Sequence, residues 1–186
     1  ILEAGAKPFL ALSYMPPAIS KGDIIDQPRN WGDWEELVKA TIEHYSGRGG
    51  LNIDGVYYEV WNEPDLFGGW KVYGEKNYLN LYAAAARGAA RAGNVNSFKL
   101  GGPATTALYK NWVDQFLDYV VENNLRLDFY SWHRYSRDLE QYEKDVAEID
   151  AWLESHPEKI DLELIVSEWG HDSENDSGYD NGFGAI

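Results

Sequence analysis

Two short apolar runs that stop abruptly on glutamates limit what this chain can fold into more than any other feature. Val56-Tyr-Tyr-Glu-Val-Trp-Asn-Glu-Pro-Asp65 ends in a polar cluster around Glu63, and Leu162-Glu-Leu-Ile-Val-Ser-Glu-Trp-Gly170 ends on Glu168. A buried strand with such an ending carries a carboxyl group to the rim of a sheet, where enzymes built on parallel sheets keep their chemistry. The two glutamates are read as a pair.

The segments around them alternate strand and helix. Lys7 to Tyr14 is nearly continuous in apolar character and is closed by Pro16-Pro17, which suits a parallel strand covered on both faces. Trp34, Leu37, Val38, Thr41, Ile42 and Tyr45 follow at helical spacing, with Asp33 placed to cap and Glu36 three residues on, and Gly47, Gly49 and Gly50 stop the helix. After the Val56 to Trp61 strand, a helix over 75–92 presents Tyr78, Leu81, Tyr82, Ala85, Ala86 and Ala89 on one stripe. Its small residues predict close packing on a sheet. A third strand is expected over 98–102, then a helix with Trp112, Phe116, Tyr119 and Val120 on one face. A fourth strand spans 127–132 and ends on His133, Arg134 and Tyr135. The last helix, over 138–155, is expected to turn Tyr142, Val146, Ile149 and Leu153 inward and its acidic residues outward; a strand over 163–167 follows.

One strand followed by four αβ units, with no long Pro- or Ser-rich linker, describes an α/β chain that is one domain or part of one over 1–186. Such a series fits a doubly wound sheet or a run of a (β/α)8 TIM barrel. No Gly-rich phosphate loop follows any strand, and polar clusters end at least three strands, as they do around a barrel mouth. An incomplete barrel is the expectation, since five strands do not close one. The chain opens without Met on what resembles the tail of a helix, and 179–186 reads as a loop entering another, so an internal fragment is expected.

Composition narrows the partners. Sixteen basic against 31 acidic side chains leave a net charge of −15, a field that repels nucleic acid and anionic membranes. The absence of Cys excludes a disulfide framework and thiolate metal sites. It leaves the compartment open, with a secreted or cell-surface bacterial setting slightly favoured. Eight Trp and 13 Tyr exceed what a core strictly needs, and flat rings suit the C–H face of a sugar, although a well-filled core accounts for any one of them.

Glycoside hydrolysis needs two carboxyl groups, one protonated to donate to the leaving oxygen and one ionised on the other face of the sugar. Glu63 and Glu168, three strands apart, would face each other across the mouth, about 5 to 5.5 Å apart in a retaining enzyme and roughly 6.5 to 9.5 Å in an inverting one. His133 and Tyr135 end the preceding strand and can donate to Glu168, and Asn62 can reach a sugar 2-hydroxyl. Structural readings stand beside these. Glu63-Pro64 is also an ordinary strand exit, Glu168 can pair with Arg134 or Arg137, and His133 can be a satisfied core histidine. His171, Asp172, Glu174 and Asp176 faintly echo a calcium loop without its Gly and terminal Glu, so a solvated acidic loop is expected and no metal or cofactor is assigned. Asn175-Asp-Ser177 is a formal glycosylation sequon.

Trp61-Asn62-Glu63-Pro64 is similar to the acid/base motif of clan A glycoside hydrolases, and Ser167-Glu168-Trp169 to their nucleophile strand. Within that clan the chain most resembles glycoside hydrolase family 39, the β-xylosidase and α-L-iduronidase family. Lys7-Pro-Phe-Leu-Ala-Leu-Ser-Tyr-Met-Pro16, Lys99-Leu-Gly-Gly-Pro103 and Asp128-Phe-Tyr-Ser-Trp-His-Arg-Tyr135 carry the likeness over nearly the whole chain. The resemblance implies barrel strands three to seven, Glu63 as general acid/base, Glu168 as nucleophile, Asn62 as a 2-hydroxyl contact, and His133 and Tyr135 as partners of substrate or nucleophile. Strands one, two and eight have no counterpart, and the loop from Ala18 to Asn30 is shorter than in the xylosidase members. The substrate implied is an oligo- or polysaccharide. Two rival readings remain: a carbohydrate-binding barrel without turnover, using Trp61, Trp132 and Trp169 as a sugar platform, and a half-barrel that self-associates through its open edges.

Overall fold

The structure is a computed structural model that describes residues 1–155 and 162–174. Five strands form one parallel sheet: β1 (Phe9–Leu12), β2 (Val56–Val60), β3 (Phe98–Thr105), β4 (Phe129–Tyr135) and β5 (Glu163–Gly170). The helices between them are α1 (Trp31–Tyr45), α2 (Tyr78–Arg91), α3 (Lys110–Glu122) and α4 (Glu140–Ser155). Every expected element is present. The expected run over 179–186 lies outside the described residues.

Strand order follows chain order without reversal. A doubly wound sheet would reverse and place its ligand crevice at that point. An unreversed β/α series is the arc of a (β/α)8 barrel, with β1 and β5 as its edges.

Side-chain alternation sorts the sheet into two faces. Val56, Tyr58, Val60, Leu100, Tyr130 and Trp132 are buried on the face that the helices cover. Tyr78 of α2 donates from its hydroxyl to the Val60 carbonyl at 2.9 Å. The other face, the barrel interior, carries Phe9, Tyr57, Glu59, Gly101, Phe129, Ser131 and His133. Phe9 stacks on Tyr57 with ring centroids 5.5 Å apart, and Phe129 closes the cluster at 5.6 Å from Tyr57.

Gly101 makes room for that cluster. A Cβ there would stand 2.3 Å from the Phe129 carbonyl oxygen and 2.5 Å from its ring. Backbone cannot yield cheaply, so Gly101→Ala is expected to cost roughly 1–3 kcal/mol. Thermal unfolding checks it, with about 2–4 °C lost for each kcal/mol in a chain of this size; an unchanged midpoint would contradict the packing.

Several boundaries differ from expectation. Asn30, not Asp33, caps α1: its side chain accepts from the Gly32 amide at 2.9 Å, because the helix starts one turn earlier. α2 is capped by Asn77, whose side chain accepts from Leu79 N at 2.9 Å. Its small residues serve helix contact as well as sheet contact, since Gly88 lies against the backbone of Glu35 on α1. In α4 the acidic residues do not all face outward. Asp145 is buried while Val146 is exposed, because Asp145 is tied to Arg134 and Trp132 on β4. Strands β3, β4 and β5 run three residues past their expected ends, so His133, Tyr135 and Glu168 lie within ladders rather than after them.

Candidate active site

Glu63 is placed by backbone that few side chains adopt. Beyond β2, Trp61 and Glu63 both take positive φ, 76° and 45°. Left-handed geometry in a non-glycine residue costs about 1–2 kcal/mol. Neighbouring bonds hold it: Glu63 N donates to the Ala104 carbonyl at 2.9 Å, and Phe67 N and Leu66 N donate back to the Glu63 carbonyl at 2.7 and 3.0 Å. Asp65 accepts from Thr106 N at 3.0 Å and from the Thr106 hydroxyl, tying this loop to the end of β3. The Glu63-Pro64 step is therefore a clamped turn.

Glu168 reaches the site through a β-bulge. The ladder between β4 and β5 pairs Trp132 with Val166 and then His133 with Glu168, leaving Ser167 as the extra residue. Simple alternation would place Ser167 on the interior face and Glu168 on the helix face. The bulge puts both on the interior.

These devices bring the expected residues together. His133 Nδ1 lies 2.9 Å from Glu63 Oε1 and 3.7 Å from Glu168 Oε2, the first a hydrogen bond and the second too long for one. One ligand atom from each of Glu63, His133 and Glu168 lies within 4.8 Å of the others. The Tyr135 hydroxyl donates to Glu168 Oε1. Asn62 donates from Nδ2 to the Tyr14 hydroxyl at 3.2 Å, and Tyr14 packs on the edges of Trp61 and Phe67. His133 is almost fully buried, Glu63 mostly so, and Glu168 is open to solvent along one side. The alternative partners of Glu168 are taken elsewhere: Arg134 bonds Asp145 at 2.6 and 2.8 Å, and Arg137 bonds Asp172 at 2.8 Å.

The rings of the expected sugar platform take three different settings. Trp132 is on the helix-covered face, 1% exposed, with its indole N–H on Asp145 Oδ2 at 3.1 Å. Trp61 is fully buried, donating to the Phe67 carbonyl at 2.9 Å and packed edge-on against Trp70. Trp169 is 71% exposed but pairs with Arg134, on the face opposite Glu168. Trp132 and Trp169 turn away from the carboxylates because strand alternation sends neighbours of an inward residue outward; Trp61, in the left-handed turn beyond β2, is packed against Trp70 instead.

Two histidine and carboxylate groupings bear on metals. Glu63, His133 and Glu168 lie near enough to one another to share an ion, but they are already engaged with one another and with Tyr135. In the acidic stretch, Asp172 is bonded to Arg137 and to Glu174 N; Asp176 and the Asn175 sequon lie outside the described residues. Sequence reading missed Glu59, which is buried beneath the pair. Its signal was present: it stands four residues before Glu63 in an otherwise apolar strand, where a carboxyl has no structural excuse.

Fold and site together define the arc of an α/β barrel with two carboxyl groups brought together at the C-terminal ends of its strands. The chain belongs to the family described as "Glycosyl hydrolases family 39", whose model matches residues 1–161. That match ends before β5, so Glu168 rests on the geometry and on its own motif. A β-xylosidase of Geobacillus stearothermophilus is 30% identical over 144 residues, and one of Caldicellulosiruptor saccharolyticus is 32% identical over 148. These cover 73% and 75% of this chain, which spans only 28% and 30% of their length. The solved structure of a family 39 β-xylosidase from Caulobacter crescentus superimposes with a TM-score of 0.74 at 29% identity, over 93% of this chain and 39% of that one.

Proposed function

We propose that this chain carries the catalytic pair of a retaining glycoside hydrolase acting on β-xylosides or related β-linked sugars. The supporting observation is the approach of Glu63 and Glu168, whose nearer carboxylate oxygens lie within 4.8 Å, closer to the about 5 to 5.5 Å of carboxyls that work by double displacement than to the roughly 6.5 to 9.5 Å of an inverting pair. Similarity to β-xylosidases supports the substrate class.

In this reading Glu168 attacks the anomeric carbon through Oε2 while Tyr135 holds Oε1. Glu63 gives its proton to the leaving oxygen as the glycosidic bond breaks. The product of this step is a glycosyl ester on Glu168 and a Glu63 carboxylate. Glu63 then takes a proton from water, which attacks the same carbon and releases Glu168. His133 donates from Nδ1 to Glu63 Oε1, which leaves Oε2 to carry the transferable proton. Asn62, held by Tyr14, meets the 2-hydroxyl.

The test is hydrolysis of aryl and alkyl β-xylosides by this chain and by Glu63→Gln. Loss of the acid should cost about 10²–10⁴-fold on alkyl leaving groups, the usual worth of general acid catalysis. It should cost little in the first step on 2,4-dinitrophenyl, which leaves unaided. An equal loss on both would remove Glu63 from that role. A folded chain that binds xylosides without cleaving any would overturn the hydrolase reading.

A further inference from the structure

We propose that Glu59 is a third functional carboxyl, a positioning residue buried beneath Glu168 and His133 that sets the charge they work against. The carboxyl comes from the interior face of β2, four residues before Glu63. It is 4% exposed, and its Oε1 has no hydrogen bond of good geometry. The Ser131 and Ser167 hydroxyls of β4 and β5 share this buried space and likewise lack a well-formed bond.

The groups that face Glu59 come from every neighbouring element. β4 supplies Ser131 and His133, β5 supplies Ser167 and Glu168, and α2 places Tyr78 within electrostatic reach. The register partners Ala11 on β1 and Gly101 on β3 carry no charge. Lys99, one layer below, is engaged with Glu163 and with the Tyr57 ring. A buried carboxylate needs a cation or several donors, and the histidine nearby, His133, is bonded to Glu63. Burial raises the Glu59 carboxyl above the ordinary range. Ser131, Ser167 and His133 pull against that rise, and Glu168 adds to it.

The bulge at Ser167 links the two layers. It turns both Ser167, toward Glu59, and Glu168, toward His133, onto the interior face. An uncharged Glu59 keeps a third negative charge out of a site that already holds two carboxyl groups. When its proton leaves, a new charge enters the space that Glu59 shares with Ser131 and Ser167, beside His133 and Glu168. The catalytic consequence rests on the glycosidase reading given above; the protonation of Glu59 does not.

The experiment is an NMR titration of this chain and of Glu59→Gln from pH 4 to 9, following the side-chain carboxyl carbons and the His133 ring. The expected result is a Glu59 signal that titrates above the ordinary glutamate value of about 4.3. The His133 curve should carry an inflection at that same pH, and Glu59→Gln should abolish it. A Glu59 signal titrating at the ordinary value, or His133 curves that superimpose in the two proteins, would overturn the proposal.

Unfolding gives a second readout. A folded pKa above the unfolded one stabilises fully below the unfolded value, and that stability is lost as pH rises to the folded value. The unfolding equilibrium of the wild type, relative to Glu59→Gln, should therefore shift toward unfolding by up to tenfold per pH unit across that window. A ratio independent of pH would count against the proposal. Absence of xyloside turnover with both signatures present would fail the hydrolase reading and leave this one standing; turnover without the signatures would do the reverse.

Discussion

Glu168→Ala is expected to lower kcat/KM on aryl β-xylosides by roughly 10⁴- to 10⁶-fold, the range seen when one member of a catalytic group is removed. Adding azide to the variant should restore turnover and yield a glycosyl azide of inverted configuration, because the small anion enters the space that the carboxylate leaves. The geometry makes this test specific. Tyr135 and His133 stay in place when Glu168 is shortened, since His133 is bonded to Glu63 and both lie within the β4 ladder. The pocket should persist with only the nucleophile missing. An unrescued variant that still binds substrate would show that Glu168 does something other than attack.

The largest stability effect is expected on the other face of β4. Asp145 accepts two hydrogen bonds from Arg134, at 2.6 and 2.8 Å, one from Trp132 at 3.1 Å and one from Gln141 at 2.9 Å. The carboxylate is buried and the guanidinium largely so. Removing one partner of a buried pair leaves the other charge unmatched, at a cost of about 3–5 kcal/mol. Asp145→Ala should lower stability by that amount in urea unfolding. Asp145→Asn should cost less, because it keeps the shape and some of the bonds. A loss below about 0.5 kcal/mol, the usual range for exposed sites, would mean that the pair is solvated. Because Arg134 sits between His133 and Tyr135, this ion pair also anchors the strand that presents both residues to the carboxylates.

Much of the molecule was legible from residue order. Continuous apolar runs read as covered parallel strands, and the stripe from Tyr78 to Ala89 is buried as its spacing required. Glu63, His133, Tyr135 and Glu168 meet because strand ends in a parallel barrel converge on one rim. Period and propensity act locally, so local sequence carries them.

Depth and facing were not legible in the same way. Trp132 and Trp169 flank inward residues and so point away from the site. The count of alternate positions needed to see this breaks at the Ser167 bulge, which depends on how β5 pairs with β4. The burial of Asp145 depends on Arg134 eleven residues earlier on another element, and helical spacing alone marked it as solvent-facing. Glu59 was visible as a lone carboxyl in an apolar strand. Only the assembled sheet surrounds it with Ser131, Ser167, His133 and Glu168, because a side chain's solvation is set by neighbours that the chain brings from far along its length.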